Sequence, residues 1–147
     1  MKHAWIAWVG TVLAVIGIAL GTDLTIAHYT TPVILACPET GIINCAKVTT
    51  SSYAEIMGVP LALLGLLYFV VMLPLQLPVA WRSRNIWIRR GRLAVSASGI
   101  LMVVWLIFVE LFKLNAICLY CTGVHIVTVS LFILTATGTA LTRIEDD

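Results

Sequence analysis

The chain predicts an all-α membrane protein, a four-transmembrane-helix bundle with a cysteine-bearing outer loop and a short interfacial helix. Three observations carry this. Hydrophobic residues fill 61% of the 147 positions and charged residues only 11%, and mean hydropathy is +1.03, far from the composition of a soluble domain. Four apolar runs, Trp5–Ala27, Val59–Val79, Leu93–Phe112 and Ala116–Leu141, each reach the roughly 20 residues a helix needs to cross about 30 Å of hydrocarbon. The basic residues are also segregated. Seven of them (Lys2, Arg82, Arg84, Arg89, Arg90, Arg92 and Arg143) fall on one side of the crossings and two (Lys47 and Lys113) on the other. The arginine-rich side belongs in the cytoplasm, which predicts an N-in/C-in chain with all four cysteines at the outer, oxidising face. Because the arginine cluster joins two spans, it reads as a topology signal and not as a nucleic-acid surface.

The first run follows Lys2 as a signal peptide would. It continues past a signal core, however, with no small-x-small site near its end, and reads as a retained span. Gly10, Gly17 and Gly21 predict close helix packing. Asp23 and His28 read as interfacial polar residues, with a proton path as the alternative.

The outer loop Tyr29–Ser51 carries Cys37-Pro-Glu-Thr-Gly-Ile-Ile-Asn-Cys45, where Pro38 and Gly41 are turn residues that let the thiols approach. A disulfide there is sterically easy, geometry deciding. Val33, Ile34, Leu35, Ile42 and Ile43 predict a loop that lies on the membrane. Ser52-x-x-Glu55 matches a capping box, which predicts a short helix starting there and broken by Gly58 and Pro60. The hydroxyls of Thr49, Thr50, Ser51 and Ser52 read as caps. Pro60 suits the first turn of span two, and Pro74 with Pro78 kinks or ends it. In span three, Glu110 and Lys113 are three apart and predict an interfacial ion pair.

Chemistry concentrates at Cys118-Leu119-Tyr120-Cys121, at the mouth of the fourth run. A helix beginning near Cys118 sets the thiols about 60° apart around its axis. Its free backbone N–H groups and dipole favour a thiolate in the first turn. His125, four residues beyond Cys121, falls a turn deeper on the same face, and an ionisable residue within a span is a functional-site candidate. Two thiol pairs at one face suggest a relay, since thiolate attack on a disulfide moves two electrons from pair to pair. With no haem or flavin motif, a lipid-soluble quinone is the natural acceptor. The residues leave two alternatives open. Cys118, Cys121 and His125 are also soft metal ligands, and the loop cysteines could staple a non-enzymatic membrane subunit.

The whole pattern resembles the vitamin K epoxide reductase superfamily in its bacterial stand-alone form. It has four spans, a first-loop cysteine pair with seven residues between, a serine six after the second cysteine, a Gly…Tyr pattern in span two and C-L-Y-C opening span four. The resemblance implies one domain over residues 1–147, set in a bacterial cytoplasmic membrane with the cysteines outside. It implies that Cys37 exchanges with a partner's thiols, that Cys45 passes electrons to Cys118, and that Cys121 serves a quinone of menaquinone or ubiquinone type. Ser51 and His125 would bind the quinone. Vertebrate members carry tyrosine where this chain has His125 and an asparagine early in span two that is missing here. These departures favour quinone reduction coupled to disulfide formation over epoxide reduction. The chain stops six residues after Leu141 with no fused thioredoxin-like domain, so the expected partner is a separate thioredoxin-fold, DsbA-like thiol protein.

Overall fold

The computed structural model describes residues 4–30 and 35–146, so Lys2, Val33 and Ile34 lie outside the described residues. The elements in order are α1 (Ala4–Tyr29), α2 (Cys45–Thr49), a 3-10 turn (Ser52–Ala54), β1 (Glu55–Ile56), β2 (Val59–Pro60), α3 (Leu61–Gln76), α4 (Pro78–Arg82), α5 (Ile86–Phe108), a π-helical turn (Val109–Leu114) and α6 (Leu119–Asp146). Ala4–Tyr29, Ile86–Leu114 and Leu119–Arg143 are long and apolar enough to span a membrane, and Leu61–Gln76 is a shorter apolar helix. The protein is a multi-pass membrane bundle in which α1 packs on α3 and α6, and α5 closes the bundle mainly against α6.

Close packing of α1 on α3 follows from the glycines. A Cβ at Gly17 would strike the Phe69 ring, and one at Gly21 would lie 3.2 Å from the Leu66 Cα. Phe69, Met72, Val127 and Leu131 form the buried centre of the bundle.

Two expected boundaries move, and the expected interfacial helix shortens. Span two is a helix of 16 residues, about 24 Å long, and not the run 59–79. Leu77 precedes Pro78, whose ring drives it out of the helical region (φ −57°, ψ 145°), and Pro78 then opens α4. Span three starts earlier, at Ile86, where the Asn85 side chain accepts from the Trp87 N–H, so Arg89, Arg90 and Arg92 are helical. The short helix expected from Ser52 forms only as the 3-10 turn Ser52–Ala54, without a side-chain cap. Glu55 reaches His28 instead of turning back to cap, and the chain forms a minimal hairpin pairing Glu55 with Pro60 and Ile56 with Val59. Its turn, Met57-Gly58, has positive φ at both residues, as tight hairpins require.

At the end opposite the cysteines, Gln76 is fully buried. It donates to Thr135 Oγ1 at 2.7 Å and accepts from Trp81 Nε1 at 3.1 Å, while the Arg92 guanidinium lies 3.5 Å from the Trp81 ring centroid. This polar clamp gathers α3, α4, α5 and α6.

Candidate active site

The loop and the α6 mouth are joined by backbone. Ile43 and Ile117 form a parallel bridge, in which the Ile117 N–H donates to the Ile42 carbonyl at 2.8 Å and the Asn44 N–H donates to the Ile117 carbonyl at 3.0 Å. The loop is therefore tied to the α6 mouth: Ile42 is exposed, and Leu35 packs beneath the cysteines. The Asn44 side chain caps α2 by accepting from the Lys47 N–H at 2.8 Å, which fixes Cys45 as the first residue of that helix.

All four cysteines meet in one cluster. Cys37 and Cys45 are disulfide-bonded, with Cα atoms 6.1 Å apart, and Cys118 and Cys121 are free thiols. Cys45 and Cys118 are the buried members (1% and 0% exposed) and pack together with Leu24, with Cys37 and Cys121 alongside.

Cys118 stands immediately before α6, where its carbonyl accepts from the Thr122 N–H and its Sγ accepts from the Cys121 N–H at 3.3 Å. The thiol caps the helix from just outside the first turn where it was expected. A hydrogen bond from the Cys121 side chain, supported by backbone N–H groups, holds the Cys118 thiol below the usual cysteine range against the opposing effect of burial.

Cys121 lines a cavity of about 320 Å³ enclosed by α1, α3, α5 and α6 and roofed by the segment from α2 to the 3-10 turn. The volume suits a small ring system. Its wall is apolar, with Leu24, Phe69, Met102 and Val124 among the lining residues. Two buried polar atoms without partners belong to residues of this wall, Tyr68 Oη and His125 Nε2. Such atoms are costly unless something pairs with them, so the wall fits a ligand with polar oxygens on an apolar ring.

Both expected cofactor residues line this cavity, with different hydroxyl and ring states. His125 carries a free Nε2, whereas the Ser51 hydroxyl donates to the Val48 carbonyl at 2.9 Å. Thr49 and Thr50 also bond back to α2 carbonyls, at Cys45 and Ala46, and do not cap a helix start. Among the described residues no group of three or more His, Cys, Asp or Glu side chains could hold a metal ion, so Cys118, Cys121 and His125 do not assemble a soft-metal site.

Three lining residues were not singled out from sequence as site residues. Tyr68 entered only as the tyrosine of the Gly…Tyr pattern in span two. His28 is no mere interfacial residue, since its Nδ1 lies 3.1 Å from the Thr49 carbonyl and its Nε2 lies 3.1 Å from Glu55 Oε1, tying α1 to the cavity roof. Asp23, by contrast, is exposed. Glu110 is 5% exposed and makes no ion pair with Lys113. The π turn adds a residue to the helical repeat, which turns Glu110 inward and leaves Lys113 outside.

The model of the Vitamin K epoxide reductase family matches residues 8–136. No curated protein matches the chain. With a family match over most of its length, two thiol pairs in one cluster and a cavity at the deeper thiol, the chain belongs to the vitamin K epoxide reductase family of quinone-reducing thiol–disulfide oxidoreductases.

Proposed function

We propose that this protein re-oxidises a thioredoxin-fold, DsbA-like thiol protein outside the cytoplasm and passes the electrons through Cys37/Cys45 and then Cys118/Cys121 to a menaquinone- or ubiquinone-type quinone. The observation that carries this is spatial order. The loop disulfide packs on Cys118, Cys118 hydrogen-bonds Cys121, and Cys121 opens on the cavity.

A partner thiolate attacks Cys37, the half-exposed sulfur of the loop pair, and releases Cys45. Once the partner has left oxidised, the Cys45 thiolate attacks Cys118 of a Cys118–Cys121 disulfide and frees Cys121. Cys37 then attacks Cys45, restoring the loop disulfide and leaving the helix pair as thiols, the state of the present structure. A quinone bound in the cavity takes up two electrons and two protons. His125 Nε2 and Tyr68 Oη orient its oxygens, and Ser51 joins them if its hydroxyl turns from Val48. The cysteine end faces outward and the arginine end faces the cytoplasm of a bacterial cell, with both termini inside, as the charge asymmetry supports.

The test is quinone reduction by purified protein supplied with a reduced thioredoxin-fold protein. Cys37→Ala, Cys45→Ala, Cys118→Ala and Cys121→Ala each abolish partner-driven turnover. With a small dithiol as reductant, only Cys118 and Cys121 remain essential. A parent protein that reduces no quinone would refute the proposal.

A further inference from the structure

Glu110 is a buried carboxyl that the relay above does not use. It lines the cavity beside Cys121 and His125, and the backbone N–H of Cys118 faces its carboxylate. A negative charge on it acts on both thiols. Its position is fixed from the same stretch of chain, because the Ala116 N–H donates to the Glu110 carbonyl at 3.1 Å and Asn115, in the left-handed region, donates to the same carbonyl. A carboxylate so placed, at a π turn and with no cation paired to it among the described residues, is expensive to bury and is seldom kept without use.

We propose that Glu110 is the proton shuttle of this site, taking the proton that Cys118 sheds on ionising and delivering it to the bound quinone. The inference rests on the quinone-reducing relay proposed above. The inventory requires such a group. A Cys118 thiolate and a Cys121 thiol forming a disulfide release two electrons and one proton, whereas a quinone going to quinol takes two electrons and two protons. The second proton is the one Cys118 lost. Held as Glu110 carboxylic acid, it reaches the quinone as the disulfide forms, and Glu110 returns to the carboxylate. No outside donor enters the balance. Other titratable groups on the elements around Glu110 are Cys121 and His125 on α6, Tyr68 on α3, His28 on α1 and Tyr53 in the 3-10 turn, all lining the same cavity, with Cys118 at the α6 mouth and the exposed Lys113 on its own turn. Of these, only Cys118, Cys121 and Glu110 combine a place in the thiol cluster or the cavity with mutual charge effects.

The experiment compares the parent with Glu110→Gln and Glu110→Asp in two readouts. The first is quinol formation driven by a small dithiol, which bypasses the loop. The second is the ultraviolet titration of thiolate in protein with the loop disulfide intact and no quinone present. Glu110→Gln lowers quinol formation by about tenfold or more, the scale of a lost proton-transfer group. It also moves thiolate formation to lower pH, because the charge that opposed ionisation is gone. Glu110→Asp keeps part of the rate and a titration near the parent's. Should Glu110→Gln fail to fold, an Asp variant that loses all activity overturns the inference. Parent-like quinol formation in Glu110→Gln also overturns it, as does a lost rate with an unmoved titration, which marks a packing role. A parent that reduces no quinone refutes the relay itself.

Discussion

The Asn44 backbone N–H donates to the Ile117 carbonyl at 3.0 Å, one residue before Cys45 on the loop and one residue before Cys118 at the helix mouth. Two cysteines 73 positions apart in sequence are thereby held in one cluster by the main chain. Side-chain packing need only refine their contact.

Removing that backbone donor is expected to separate the pairs. Asn44→Pro deletes the N–H and conflicts with the φ of −154° at this position. Loop-to-helix disulfide exchange, followed by acid quench and alkylation, should slow severely while reduction of the loop pair by a small dithiol persists. Asn44→Ala keeps the N–H and loses only the cap, a cost of about 1 kcal/mol in local stability. Equal rates for the two variants would show that the bridge does not set the transfer.

Ionisation of Cys118 should depend on its neighbour. The Cys121 side chain donates to the Cys118 sulfur and stabilises its thiolate, so the folded protein holds that thiolate at lower pH than an isolated cysteine would. Cys121→Ala removes the donor and should move Cys118 titration to higher pH, whereas Cys121→Ser supplies an O–H and reverses part of the change. Ultraviolet thiolate titration with the loop pair oxidised reads this. A titration that Cys121→Ala leaves in place would contradict the assignment.

The roof should respond more to His28 than to Glu55. The Glu55 side chain is 48% exposed, so its pairing with His28 is screened and worth at most about 1 kcal/mol. The His28 bond to the Thr49 carbonyl is partly buried and holds the roof directly. His28→Ala is expected to raise the KM for quinone several-fold, and Glu55→Gln to change it less than twofold. The reverse order would place the restraint in the hairpin.

Gly99 and Gly65 both line the cavity but face different surroundings. A Cβ at Gly99 would fall 2.7 Å from Tyr68 Oη and 2.8 Å from Thr128 Cγ2, while one at Gly65 meets nothing within 4 Å. Gly99→Ala should lower stability by about 1–3 kcal/mol through overpacking and raise the KM for quinone as Tyr68 is displaced. Gly65→Ala should leave Tm unchanged or slightly raised, since a helical glycine costs about 0.5–1 kcal/mol relative to alanine. Thermal unfolding in detergent with quinone titration distinguishes them.

The bundle was legible because lipid imposes long apolar runs and segregates the basic residues, and the cysteines because their spacing is local. Features made by partners distant in sequence were not. Ser52 and Glu55 carry a valid capping pattern, but Glu55 is drawn to His28, 27 positions away. Gln76 lay unremarked inside the run 59–79, and its bonds to Thr135 and Trp81 exist only once three helices meet. Glu110 and Lys113 pair on an ideal helix, and only the π turn at Val109–Leu114 separates them. The proline signals at Pro74 and Pro78 were visible, yet the break at Leu77 had to be located by backbone geometry.

Burial of Cys45 and Cys118 bears on leakage. A small thiol or peroxide in the surrounding medium can collide with Cys37, whereas the junction sulfurs behind it are closed to solvent. Electrons admitted at the loop thus have few ways to short-circuit to a bystander before reaching the membrane. The loop-to-helix junction is insulated sterically, and a small dithiol that bypasses the loop has to enter at the partly exposed Cys121.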